Sequence, residues 1–171
     1  MPTLYIKVDK KDKFLIVSLY VDDLIFTGGL GIDSFKSAME SEFEMTDLGL
    51  MRYFLGIEVH QSNDGIFISQ SRYANEVLKR LNMEKYMEAP TMVMTRLKLK
   101  KEEDGACVDS SLFKRLVGSL VYLTATRSDI MYGVSLISRF MESSKDSHCK
   151  VGKRILRYVS GKKDIGILIP L

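Results

Sequence analysis

The chain has 171 residues, 25 of them basic and 22 acidic, for a formal charge of +3; 46 % are apolar and 27 % charged, as in an ordinary globular domain. This composition excludes a disordered tail, a collagen-like chain and a coiled-coil rod, and the length allows one domain, or one and a part, with a real hydrophobic core. The weak positive balance permits a nucleic-acid partner without requiring one.

The first third reads as strands. Residues 4–8 and 14–20 flank the polar Asp9-Lys10-Lys11-Asp12, a hairpin-turn composition. Phe14-Leu15-Ile16-Val17 is continuously apolar, as expected of a strand buried on both faces. A second apolar run, Leu24-Ile25-Phe26-Thr27, ends at Gly28-Gly29, which places Val21 and Asp22 at the centre of a tight turn between two strands. A helix then follows with Asp33 as its expected N-cap, and with Ile32, Phe35, Met39 and Phe43 on one face. Asp47-Leu48-Gly49 ends it. Strands are expected at 52–61 and 66–70, joined by Asn63-Asp64-Gly65, whose Asp-Gly is a hairpin signal. Ser71 is the expected cap of a short helix with Tyr73, Val77, Leu78 and Leu81 on one face.

Residues 84–109 are polar, charged and aperiodic and read as an exposed connection. Beyond them the pattern is helical, with one stripe of Leu112, Phe113, Leu116, Val117, Leu120 and Val121 and another of Ile130, Val134, Ile137 and Met141. A third helix is expected over about 147–159, before Gly161, and a short last strand over 165–169. The fold class is α+β, with an antiparallel sheet and packed helices first and a mostly helical part after the connection.

Tyr20-Val21-Asp22-Asp23 holds the most informative side chains. Two carboxylates roughly 5 Å apart repel by about 1–3 kcal/mol at intermediate dielectric, and partial burial adds to that. A divalent cation reverses the sign, because hard oxygen ligands are what Mg²⁺ takes. Phosphoryl-transfer enzymes use such carboxylates to hold two metal ions. The alternative is that Asp is simply a good turn residue with its side chain in water, and the dipeptide alone leaves both open.

The flanking residues extend the pattern. Leu19-Tyr20-Val21-Asp22-Asp23-Leu24-Ile25-Phe26-Thr27-Gly28 resembles the polymerase signature of copia-type retrotransposon reverse transcriptases. Phe43-Glu44-Met45-Thr46-Asp47-Leu48-Gly49, Tyr53-Phe54-Leu55-Gly56-Ile57-Glu58-Val59, Leu116-Val117-Gly118-Ser119-Leu120-Val121-Tyr122-Leu123, Thr126-Arg127-Ser128-Asp129-Ile130 and 153–161 resemble the segments that follow it in that family, in the same order. Ser128 stands where the family usually has Pro.

The resemblance implies a palm-like sheet over 1–83 and a thumb- or connection-like helical part over 110–171. It implies Asp22 and Asp23 as catalytic, metal-holding carboxylates, Asp22 the more direct ligand, with Mg²⁺ as cofactor and Mn²⁺ as its substitute. Tyr20 and Val21 would lie near the primer end, and Phe54, Leu55 and Gly56 would form a hairpin that grips it. The implied partners are an RNA-template/DNA-primer duplex, a deoxynucleoside triphosphate and the rest of the polymerase. A third carboxylate, the fingers and a ribonuclease H domain are expected outside this sequence. The expectation is therefore a fragment of an RNA-directed DNA polymerase that does not polymerise alone.

Charge supports one of these implications separately. Residues 145–163 carry seven cations against Asp146 alone, so this segment is +6 and the remainder −3. Lys150, Lys153, Arg154 and Arg157 recur at helical spacing opposite Ile155 and Val159, a stripe suited to phosphates or, equally, a solvated basic face. A non-catalytic nucleic-acid-binding remnant of a mobile element is the alternative function, and a domain with no nucleic-acid role the third.

Other motifs are weaker. Cys107 and Cys149 lie far apart with no C-x-x-C, which favours a reducing compartment, cytoplasmic or nuclear, over a secreted fold. No stretch approaches the roughly 20 apolar residues of a membrane helix, so no membrane association is expected. His60, Cys107, His148 and Cys149 lack zinc-site spacing, and Gly28-Gly29-Leu30-Gly31 lacks a phosphate-loop lysine.

Overall fold

The computed structural model describes residues 3–93, 99 and 109–170, so Cys107 and most of the charged run at 98–104 lie outside the described residues. The chain divides into two compact units, Met1–Met51 and Arg52–Leu171.

In the first unit, β1 (Thr3–Val8), β2 (Phe14–Tyr20) and β3 (Asp23–Gly28) form an antiparallel sheet in that order. The β1–β2 turn closes on Asp9, whose Oδ1 accepts from the backbone N–H of Lys11 (2.7 Å) and Lys13 (3.0 Å), as its polar composition predicts. Helix α1 (Ile32–Glu42) meets β3 through an edge-on pair, Phe35 and Phe26, with ring centroids 5.5 Å apart. Ile32, Phe35 and Met39 share a half-buried face, but Phe43 falls outside the helix and is exposed. The cap differs from expectation. Gly31, at φ 57°, is the N-cap, and Asp33 lies in the first turn, where its charge suits the helix dipole. Strand β2 is also not buried on both faces: Leu15 and Val17 are buried, whereas Phe14 and Leu19 are exposed.

In the second unit, β4 (Tyr53–Phe54), β5 (Ile57–Ser62), β6 (Gly65–Ser69) and β7 (Gly166–Pro170) form an antiparallel sheet in that order. The run 52–61 is thus two strands rather than one, split by a two-residue turn at Leu55-Gly56. Between β6 and β7 come α2 (Ser71–Arg80), α3 (Ser110–Leu123), a 3-10 turn (Ser128–Ile130), α4 (Met131–Ser138) and α5 (Asp146–Ser160). Ser71 does not cap α2. It is the first helical residue, and its hydroxyl donates to the Lys163 carbonyl at 2.9 Å, tying α2 to the end of α5.

The helical stripes converge on one core: Val77 and Leu78 of α2, Phe113, Leu116, Val117 and Leu120 of α3, Val134 and Ile137 of α4, Ile155 and Leu156 of α5. Leu112 and Val121, expected on the α3 stripe, flank it and are exposed. α2 joins this core and β7 pairs with β6, so both belong to the unit that begins after Met51. Each full truncation in such a core costs about 2–5 kcal/mol.

One polar cluster lies within this unit. Arg127 is 2 % exposed. Its Nε and Nη2 donate to the two carboxylate oxygens of Asp129 (2.8 and 2.7 Å), and its Nη1 donates to the Lys162 carbonyl (2.7 Å). Burial pushes the Asp129 carboxyl up, but the hydrogen bonds and charge of Arg127, with the Tyr158 hydroxyl, outweigh it and hold the carboxyl below its ordinary range. A depressed folded-state value stabilises the fold above the unfolded carboxylate's titration and is lost as pH falls through the folded one. Asp129→Asn is therefore expected to cost about 3 kcal/mol in urea unfolding at pH 7, since it strands a buried guanidinium. The gap from the unchanged protein is expected to narrow below about pH 4, where the carboxylate of the unfolded chain begins to bind protons, and to close as pH falls through the lower folded-state value.

Candidate functional site

The carboxylate turn sits where its spacing predicts. Tyr20 pairs with Asp23 across the β2–β3 ladder, which leaves Val21 and Asp22 as the two loop residues. Of the two, Val21 alone takes a positive φ, 52°. A single positive φ at the first central position is the type II′ pattern, where glycine is preferred. A β-branched residue there costs about 1–3 kcal/mol of strain, so this turn holds its shape against its own local preference. Asp22 and Asp23 are both exposed. Burial therefore adds nothing to their repulsion, and the electrostatic case for a cation reduces to two neighbouring hard-oxygen ligands. Among the described residues no group of three or more His, Cys, Asp or Glu gathers as a metal site.

The second candidate element is the β4–β5 hairpin. Leu55 (φ 46°) and Gly56 (φ 78°) are its two loop residues, both left-handed in the type I′ pattern. Its flank is braced by Arg72, which pairs with Glu58 (2.9 Å) and lies over the Tyr53 ring, 5.8 Å from its centroid. The Tyr122 hydroxyl donates to the Leu55 carbonyl. Neither Arg72 nor Tyr122 was singled out by motif or spacing. Tyr122 is off the apolar stripe of α3 yet large, and that misfit was the available signal.

The third candidate, the basic face of α5, is not one uniform stripe. Lys150 pairs with Asp146 one turn earlier (2.7 Å), which raises its ammonium above the ordinary lysine range. Arg154 donates from Nε to the Thr91 carbonyl (3.1 Å) and from Nη2 to the Thr91 hydroxyl (3.0 Å), and Arg157 donates from Nε to the Met87 carbonyl (2.5 Å). Ala89, whose backbone N–H donates to the Arg157 carbonyl, is buried. Residues 87–91 are therefore strapped along α5 at three points, with Ala89 turned inward and Met87, Glu88, Pro90 and Thr91 exposed. Lys153 is exposed.

The remaining candidates resolve as packing. His148 is fully buried, stacks on Phe140 with centroids 3.9 Å apart, and its Nδ1 accepts from the Lys145 backbone N–H (3.0 Å). Burial pushes the neighbouring Cys149 thiol up, away from the reactive thiolate. Among the described residues no helix is long and apolar enough to cross a membrane.

A paired-acid turn between antiparallel strands, a hairpin downstream and a helical core with a basic face are the parts the polymerase signature implies. Residues 1–95 match the reverse transcriptase (RNA-dependent DNA polymerase) family, and the chain belongs to it. More particularly, it is similar to segments of retrotransposon polyproteins. It is 34 % identical over 153 residues to the retrovirus-related Pol polyprotein from transposon RE2 of Arabidopsis thaliana, covering 88 % of this chain and 10 % of that one. It is 33 % identical over 172 residues to the Pol polyprotein from transposon TNT 1-94 of Nicotiana tabacum, covering 94 % and 13 %. An uncharacterized mitochondrial protein of Arabidopsis thaliana is 37 % identical over 156 residues, covering 88 % of this chain and 63 % of its own length. The chain thus spans about a tenth of the polyproteins and less than two thirds of the shorter relative. No solved structure matches.

Two outcomes check this geometry. Arg154→Ala and Arg157→Ala are each expected to lower urea stability by about 1–2 kcal/mol through lost carbonyl contacts, while Lys153→Ala stays within about 0.5 kcal/mol. Val21→Gly is expected to leave the urea midpoint unchanged or raise it, because relief of strain offsets the added freedom of the unfolded chain.

Proposed function

We propose that this chain supplies the metal-holding turn and the primer-end support of a retrotransposon reverse transcriptase, which joins deoxynucleotides to a primer on an RNA template. The observation that carries the proposal is the placement of Asp22 and Asp23 at the tip of the β2–β3 ribbon, within the segment that matches the family.

The donor set fits the metal. Mg²⁺ is usually held by one or two carboxylates and otherwise keeps waters and substrate phosphate oxygens, so two exposed, adjacent carboxylates at a tightly held turn suit it. Bound there, Mg²⁺ or Mn²⁺ supplies the positive charge that nucleotidyl transfer needs at its attacking and leaving oxygens. The chain's own part is positional. Asp22 leads as ligand and Asp23 accompanies it, and the strained Val21 backbone fixes both relative to the ribbon. Tyr20 and Val21 border the primer end. Phe54, Leu55 and Gly56 present a short hairpin to the terminal nucleotide. Lys150, Lys153, Arg154 and Arg157 of α5 give the duplex backbone a cationic face, with Lys150 and Lys153 exposed and the two arginines also committed to residues 87–91.

A second reading, nucleic-acid binding without chemistry, is favoured by the exposed Lys150 and Lys153 of α5, which need no metal to meet phosphates. One experiment separates the two. In the polyprotein that carries this segment, Asp22→Asn is expected to lower Mg²⁺-dependent extension of a DNA primer on an RNA template by at least about 10³-fold, with duplex affinity little changed. Equal extension by the Asn variant removes the catalytic assignment. Salt-sensitive duplex binding with no extension in either protein supports the second reading.

A further inference from the structure

The β4–β5 hairpin does not hold its own tip. Its ladder is two residue pairs long, Tyr53 with Glu58 and Phe54 with Ile57, and so short a ribbon is marginal by itself. The first loop residue is Leu55 at φ 46°, a conformation that disfavours any side chain. Something outside the hairpin must keep the turn in place.

The contacts divide that task. Arg72 grips Glu58 on β5 with both its side chain and its backbone N–H, and the Val59 N–H donates to the Arg52 carbonyl. These fix the base and flank. At the tip stands Tyr122 of α3, whose hydroxyl donates to the Leu55 carbonyl. A Cβ placed on Gly56 would stand 3.3 Å from both Cε1 and the hydroxyl oxygen of the same ring. The ring therefore lies directly against the turn, and the missing side chain at Gly56 makes room for it. Tyr122 in turn leans edge-on against Tyr73 of α2, with centroids 4.8 Å apart, and Tyr73 packs on the helical core. Two tyrosines thus relay the position of the core to the backbone of a two-residue turn.

We propose that Tyr122 is a positioning residue: through the Leu55 carbonyl and the space above Gly56 it sets where this hairpin tip meets the terminal nucleotide of a primer. The proposal rests on the reading of the hairpin as primer-end support, and it assigns Tyr122 no contact with the reacting atoms.

The test uses the full chain with a DNA primer ending in 4-thiothymidine on an RNA template, irradiated and mapped by mass spectrometry, with amide hydrogen exchange run in parallel. The unchanged protein is expected to crosslink within residues 53–57. Tyr122→Phe keeps the ring and removes the hydroxyl; it is expected to lower that crosslink about fivefold and to speed exchange at 55–58, with duplex affinity changed less than about twofold. If Tyr122→Phe leaves crosslink and exchange unaltered while the unchanged protein crosslinks at the hairpin, the Tyr122 assignment is wrong and the primer-end reading stands. If crosslink, duplex affinity and melting temperature fall together, Tyr122 is a general stabiliser and the positioning role is likewise overturned. If the unchanged protein crosslinks elsewhere, the primer-end reading fails, and the proposal fails with it.

Discussion

The pair of buried Arg127 and half-buried Asp129 is the interaction on which the second unit turns. A guanidinium taken out of water costs several kcal/mol unless its donors are satisfied, and here Nε, Nη1 and Nη2 all have acceptors. The acceptors are placed so that satisfying the charge fixes the architecture. Asp129 sits in the 3-10 turn between α3 and α4, and the Lys162 carbonyl sits in the turn between α5 and β7. The Thr126 hydroxyl, one residue before the pair, donates to the buried Gln70 side chain at the β6–α2 junction (2.9 Å). Three chain reversals therefore meet at Thr126-Arg127, and the sheet is held to the helices by polar geometry as well as by the apolar core.

That framework explains why the candidate elements stand where they do. β4 and β5 are extensions of the sheet that β6 and β7 close, and β7 is brought to it by the turn that Arg127 holds. α3 carries both Phe113 and Leu116 into the core and Tyr122 to the hairpin tip. α5 presents Lys153 outward while Arg154 and Arg157 are occupied with residues 87–91. The basic segment therefore divides between scaffold and surface, and its net charge overstates what a phosphate backbone meets. In the first unit the equivalent constraint is backbone conformation: the acids are displayed by a valine held at φ 52°.

Much of this was legible in the sequence where the signal is periodic or local. The Asp9 turn, the Val21-Asp22 loop, the pairing of 57–62 with 65–69, and the helices around Leu116, Val134 and Ile155 all follow from alternation, 3.6-residue spacing and turn composition. The misses share a cause. Leu55 is a poor turn residue, so alternation and composition ran one strand through a reversal that the resemblance alone implied and that Gly56 and tertiary support make possible. Asp33 has the right chemistry for a cap, but Gly31 reached the left-handed conformation first. Arg154 and Arg157 looked like a phosphate stripe because their partners are main-chain carbonyls some sixty to seventy positions away, and a carbonyl has no sequence signature. The resemblance quoted Thr126-Arg127-Ser128-Asp129-Ile130 but gave it no role; only the contacts show it to be a structural brace.

The pairing of β6 with β7 also dictates the order of assembly. Ile66 is matched to Ile169, so this rung joins positions roughly a hundred residues apart and carries a large loop-closure entropy. The β1–β2–β3 meander, by contrast, is built from neighbours joined by short turns. On a ribosome the meander is free to form early, whereas the second unit waits for its final strand to emerge before its sheet is complete. During that interval β6 presents an unpaired edge to whatever else is nascent nearby.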